Sequence, residues 1–271
     1  MRAQLYDVLN AHATAYPRML GQDYSCIAYE SEFGSRDINE ESPFENLVNE
    51  LNAIKTDALE PMTVEIGGGY TRLNLPPVKQ YLSADLIYKM MEMCEGGGDK
   101  YGYLRKLSLI QRSSQMGILP EEAFKVCDDE PPLHSQLYTK LYGASYRIIP
   151  SDVAPIVPAM CLISEAISKS GGARVGIDGT VASGKTWAAE LIKKLFDGCN
   201  VSVTEGRGVL MTEKEFDVRL FLYTDKQTRL LRIMERGGEA AVADYTKNGE
   251  ALDEELLSAE SGIASDLVIK T

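Results

Sequence analysis

Residues 175–196 read VGIDGTVASGKTWAAELIKKLF. An apolar run gives way at Gly179 to Gly-Thr-Val-Ala-Ser-Gly-Lys-Thr, and apolar residues then recur at helical spacing. The segment Gly179–Thr186 fits G-x-x-x-x-G-K-[ST] in full, a pattern that average composition produces in about one chain in a hundred of this length. An entering strand and a leaving helix are the context the pattern needs. Glycines let backbone N–H groups turn inward around phosphates, and the helix N-terminus adds partial positive charge. Gly179, Thr180, Val181, Ala182, Ser183, Gly184, Lys185 and Thr186 are therefore expected to hold the phosphates of ATP. Lys185 is placed to reach the β- and γ-phosphates, and the Thr186 hydroxyl to ligate Mg²⁺. The bland alternative is a merely Gly-rich strand-to-helix turn.

Working outward toward the C-terminus, NVSVTEG reads as a strand, DVRLFLYT as another, DKQTRLLRIMERGG as a helix and SDLVIKT as a final strand. Strands alternating with helices imply a parallel α/β sheet. No N-K-x-D element of a GTPase and no Gly-rich transporter signature lies beyond the loop. The chain instead carries VTEG, then Asp217, Arg219, Phe221, Thr224 and Asp225, then Thr228, Arg229, Leu230, Arg232 and Arg236. This series, with the ASGKT core, resembles the uridine kinase-like branch of the P-loop kinases over the last hundred residues or so.

The resemblance implies a P-loop kinase-type sheet and transfer of the ATP γ-phosphate to a hydroxyl of a small acceptor, nucleoside-like or otherwise. Glu205, ending a strand beside the loop strand, would hold the Mg²⁺ water shell or accept the acceptor's proton; the bland reading is a strand-end acid in solvent. Arg229, Arg232 and Arg236 share one helical stripe. They would act on the transferring phosphoryl group as lid arginines, or else form a solvated face. Arg207 is a weaker candidate. Asp178 either orients the loop or touches the reacting groups. Trp187 reads as core.

Residues 1–171 form a mainly helical domain and 172–271 the compact P-loop domain, with the boundary at Gly171 and Gly172. ENLVNELNAI, SADLIYKMMEMC, YGYLRKLSLIQRSSQMG and APIVPAMCLISEAISKSGG carry helical spacing. MTVEIGGGYTRLNL reads as a small β-hairpin turned by Gly67 to Gly69, while EGGGD at 95–99 and CDDEPPLH at 127–134 read as loops. His134, Tyr138, Tyr142, Tyr146 and Arg147 are candidates for an acceptor pocket, although tyrosines at spacing four are favoured as a half-buried helix stripe. YESEFGSRD at 29–37 reads as a helix end and loop, with Glu30 and Glu32 as candidates to face a substrate.

The chain departs from the family in one respect. Uridine kinase-like enzymes carry a long segment between the loop helix and the Glu-Gly strand, holding a catalytic Asp and most of the nucleoside pocket. Here Phe196 to Glu205 leaves room for a turn and one strand. Either the helical domain supplies the acceptor pocket, placing the acceptor in the cleft between domains, or the domain is a nucleotide-responsive interaction module without transfer. An ATP hydrolase acting on a partner is a third reading.

The net charge of −12 opposes broad binding of nucleic acid or anionic membrane. Five scattered cysteines without a C-x-x-C pair oppose a disulfide framework or zinc site, and read mostly as buried apolar fillers. Two histidines exclude most histidine-based chemistries. No apolar run reaches a membrane span, and MRAQLYDVLNAHATAYPRML is too polar for a secretory signal, so a cytoplasmic location is expected. The oligomeric state stays open.

Overall fold

The computed structural model describes residues 5–35, 41–55, 60–94, 96–143, 145–212, 215–258 and 264–271 of the 271-residue chain. It divides into two compact units, Met1–Ala154 and Pro155–Thr271.

The first unit opens with α1 (Leu5–Ala15), α2 (Gly21–Phe33) and α3 (Pro43–Ala53), followed by β1 (Thr63–Gly67) and β2 (Tyr70–Asn74). Then come α4 (Leu75–Val78), α5 (Ala84–Glu92), α6 (Lys100–Gln115), α7 (Gln136–Tyr142) and β3 (Tyr146–Pro150). Side chains fix several helix starts. Ser83, Asp99 and Ser135 cap α5, α6 and α7 by accepting the N–H of Leu86, Gly102 and Tyr138. The hairpin forms as expected, with Gly67, Gly68 and Gly69 all at positive φ. Gly68 is required there, because a Cβ would lie 1.7 Å from the Ser31 carbonyl oxygen.

Two expectations for this unit are corrected. The sheet has three strands, since β3 pairs antiparallel with β2 from Tyr70↔Pro150 to Asn74↔Tyr146. The tyrosine stripe also breaks: Tyr138 and Tyr142 lie on α7, but Gly143 at φ 69° ends that helix and Tyr146 begins a strand. The run Tyr146–Ile149 is buried throughout, and a strand pairing in the core outweighs a helical spacing of four. α2 ends at Phe33 and Gly34 as the sequence suggests; Arg36, Asp37 and Glu95 lie outside the described residues.

The second unit runs α8 (Val157–Ser170), β4 (Ala173–Gly179), α9 (Lys185–Leu195), β5 (Val201–Glu205), β6 (Val218–Tyr223), α10 (Lys226–Asn248), α11 (Glu250–Ser258) and β7 (Leu267–Lys270). Its four strands are parallel, in the order β5-β4-β6-β7. The boundary therefore falls before α8 instead of at Gly171–Gly172. The reason is packing, since α8 rests on β4 and β6 and buries Val157, Ala159, Met160 and Ile163. Buried Val175, Ile177, Leu220, Phe221 and Leu222 fill the centre of this sheet, the continuous apolar strands that a parallel sheet demands. α10 kinks at Gly238. No helix among the described residues is long and apolar enough to cross a membrane.

Candidate functional site

After β5 the chain returns to the other side of β4 to form β6, so the strand order reverses at β4. In open parallel sheets such a reversal leaves a crevice beyond the carboxyl ends of the strands, where ligands bind. Those ends carry Gly179, Glu205, Thr224 and Thr271, and the Gly179–Thr186 loop sits among them.

Gly179 has φ 141°, and a Cβ there would lie 1.8 Å from the Leu222 carbonyl oxygen, so β4 and β6 approach too closely for any other residue. Positive φ at Ala182 and Gly184 curls the chain back into α9, whose first turn leaves backbone N–H groups unpaired. The loop is pinned at several points. Thr180 donates its N–H to Leu222 O at 3.1 Å, the Ser183 hydroxyl donates to Thr180 O at 2.8 Å, and the Thr271 hydroxyl donates to Ser183 O at 2.9 Å.

The Lys185 ammonium folds back over the loop, donating to Gly179 O at 2.9 Å and Thr180 O at 2.6 Å. Burial lowers its pKa from the ordinary lysine value, while Asp253, Glu205 and Asp178 oppose the shift. The Thr186 hydroxyl donates to Glu205 Oε1 at 3.0 Å at the exposed edge of the site. The two residues expected to serve Mg²⁺ are thus together. Among the described residues no group of three or more His, Cys, Asp or Glu side chains forms a metal cluster.

Asp178 is fully buried and accepts the backbone N–H groups of Gly179 (2.7 Å), Gly208 (2.8 Å) and Leu210 (3.1 Å). These bonds tie the loop's first residue to the segment after β5, as the orienting one of its two readings requires. The arginine stripe divides. Arg229 is buried against Asp253 (2.9 Å), the Tyr245 hydroxyl (3.0 Å) and Thr224 O (3.3 Å). Arg232 reaches Ala182 O at 3.0 Å and the Thr271 hydroxyl at 3.2 Å. Arg236 is exposed, just before the Gly238 kink. Trp187 is 36% exposed, contrary to its reading as core. It stands one position after Thr186 at the exposed edge of α9, between Thr186 and buried Ala188.

Asp253 carries no signal in the sequence. It lies fully buried in α11 and binds Val181 N–H, Arg207, Arg229 and Tyr245. In GEALDEELL it is one acid among several, and nothing local distinguishes it from Glu254 or Glu255.

The first unit holds a separate polar centre. Glu30 and Arg72, each 2% exposed, pair at 2.8 Å. Tyr146 donates to Glu30 at 2.6 Å and lies 2.7 Å from His134 Nε2, whose Nδ1 is 2.9 Å from Asp23. The Arg72 guanidinium stacks over the Tyr146 ring at 4.2 Å. Burial lowers the pKa of His134 despite Asp23, and Arg72 holds Glu30 below the ordinary carboxylate range against burial. A cavity of about 240 Å³ opens beside this centre, lined by Arg72, Tyr16, Tyr138, Tyr142 and Tyr146. Three of the five candidates for a pocket therefore line one. His134 stays behind it in the network, and Arg147 instead pairs with Glu50 at 2.5 Å. Glu32 pairs with Lys106 at 2.8 Å.

Cys26 and Cys161 are buried, Cys94 and Cys127 half-buried, and Cys199 exposed. No family model, curated protein or solved structure matches this chain.

Proposed function

We propose that the second unit binds Mg·ATP on Gly179–Thr186 and transfers the γ-phosphate to a hydroxyl of a small acceptor, nucleoside-like or otherwise, as a P-loop kinase of uridine kinase-like type. The observation that carries this reading is the conjunction at one loop of a half-buried lysine folded onto two backbone carbonyls and a Thr186–Glu205 oxygen pair. Lys185 would exchange the carbonyls of Gly179 and Thr180 for phosphate oxygens. Thr186 and Glu205 offer the hard oxygen donors that suit Mg²⁺, which completes its shell with water and phosphate. Bound there, the ion would neutralise charge on the transferring phosphoryl group.

The chain's own contribution is positioning and fixed charge. Asp178 holds the loop through three backbone N–H groups, and Arg232 stiffens the loop from α10 through Ala182 O. Glu205 serves the metal shell or accepts the acceptor's proton. A second reading, a nucleotide-responsive interaction module, is favoured by the connection between α9 and β5. Residues 196–200 form a turn, too short for an acceptor pocket.

The test compares the full chain with Lys185→Ala, following Mg·ATP binding by Trp187 fluorescence and ADP release over a panel of nucleosides and small alcohols. Kinase activity predicts binding in the wild type and acceptor-dependent ADP release. Losing the charged contact should weaken binding about 10- to 100-fold. Binding without turnover on any acceptor leaves the interaction module. Absence of binding by any nucleoside triphosphate refutes both readings.

A further inference from the structure

Among the described residues of the second unit, the most heavily bonded carboxylate touches the loop itself. Asp253 accepts the Val181 N–H with both oxygens, at 3.0 and 3.2 Å. It also accepts Arg229 at 2.9 Å, the Tyr245 hydroxyl at 2.9 Å and Arg207. Two guanidiniums, a loop amide and a phenol converging on one buried anion make an anion receptor. Asp253 also acts electrostatically on Lys185. The helix that delivers it is lightly held. Of the nine residues of α11 only Asp253 and Leu256 are buried, with an ion pair from Lys226 to Glu250 at its first turn.

Resting on the nucleotide-binding reading above, we propose that the Asp253 carboxylate is a resident anion occupying the donors that the terminal phosphate of ATP takes. On this proposal α11 is an intrinsic competitor of the nucleotide. A terminal phosphate brings about two negative charges and three acceptor oxygens against one charge and two oxygens, so it displaces the carboxylate and frees Arg207 and Arg229 for itself. Because binding must first undock Asp253, the affinity of the resting chain is reduced by the docked population.

Two measurements test this on the full chain. Asp253→Asn keeps the shape and one acceptor but removes the charge. It is expected to bind Mg·ATP about tenfold more tightly, within the usual range of coupling between sites, while AMP binding changes little. In the wild type, hydrogen exchange with and without a non-hydrolysable ATP analogue should show residues 250–258 losing protection as residues 179–186 gain it. Unchanged or weaker ATP binding by an Asp253→Asn variant that melts like the wild type overturns the proposal and leaves Asp253 as a strut of the loop. If the variant does not fold, exchange decides alone, and unchanged or greater protection of α11 overturns it. Failure of wild type and variant alike to bind any triphosphate refutes the nucleotide reading itself.

Discussion

His12 is 2% exposed, and its Nε2 meets Glu65 O at 2.9 Å, so the ring is held as the neutral tautomer with a proton on Nε2. Burial is the largest cause moving its pKa, followed by the Arg72 charge, and together they bring it from 6.5 to about 4. Between these values the unfolded chain takes up a proton that the folded chain refuses, so the free energy of unfolding falls as the pH falls. At 1.36 kcal/mol per pH unit the full loss is about 3 kcal/mol below pH 4, with about 2 kcal/mol of it already incurred at pH 5. The perturbation that isolates this is His12→Gln, which keeps an N–H donor for Glu65 O and removes the titration. Urea unfolding of both chains, followed by far-UV circular dichroism from pH 8 to pH 4, gives the difference directly. Trp187 lies in the second unit, so its fluorescence does not report this transition. The variant should gain about 2 kcal/mol on the wild type between pH 8 and pH 5. Parallel profiles, agreeing within about 0.5 kcal/mol, would mean that His12 is charged in the folded protein and would refute the burial argument.

The Glu30–Arg72 pair should show strong coupling. Glu30→Leu or Arg72→Met alone leaves a buried charge uncompensated and costs about 3–5 kcal/mol, whereas the double substitution should cost well under the sum; an additive denaturant cycle would remove the case for direct pairing. Gly179→Ala drives a Cβ into Leu222 O and should lower the melting of the second unit far more than Gly184→Ala. At Gly184 there is open space and the cost is backbone strain of about 1–2 kcal/mol. Trp187 fluorescence melts with equal losses would contradict the close approach of β4 and β6.

Much of the second unit was legible because its chemistry is local. The period of the apolar residues marks β4 and α9, and the glycine, lysine and threonine positions mark the loop within eight consecutive residues. The resemblance pointed to Glu205 beside Thr186, and parallel pairing of β4 with β5 places them there. The arginine stripe was legible as a stripe but not as a set of roles. Spacing puts Arg229, Arg232 and Arg236 on one face, yet depth decides that the first is buried in an ion pair and the last stands in solvent. Trp187 was misplaced for a related reason, since a large aromatic in an amphipathic helix reads as core until its neighbours show which side faces the sheet.

In the first unit the helices and the hairpin were readable from spacing and glycines, while β3 was concealed by tyrosines that continue a helical interval across Gly143. Of its polar centre Glu30, His134 and Tyr146 could be singled out one by one, but not their assembly. Asp23, Glu30, Arg72, His134 and Tyr146 lie on α2, β2, β3 and the loop before α7, and only folding brings them within hydrogen-bonding distance.

The sequence by itself determined a glycine-rich loop between a strand and a helix, an α/β second half and a helical first half, because those arise from residue type and period along a short stretch. Tertiary structure alone decided that α8 belongs with the second unit and that a third strand completes the first. It also decided that Asp253, of all the acids in GEALDEELL, reaches the loop. Such a choice depends on which side chain meets two arginines and a free amide across 72 residues of chain, and no local pattern encodes that distance.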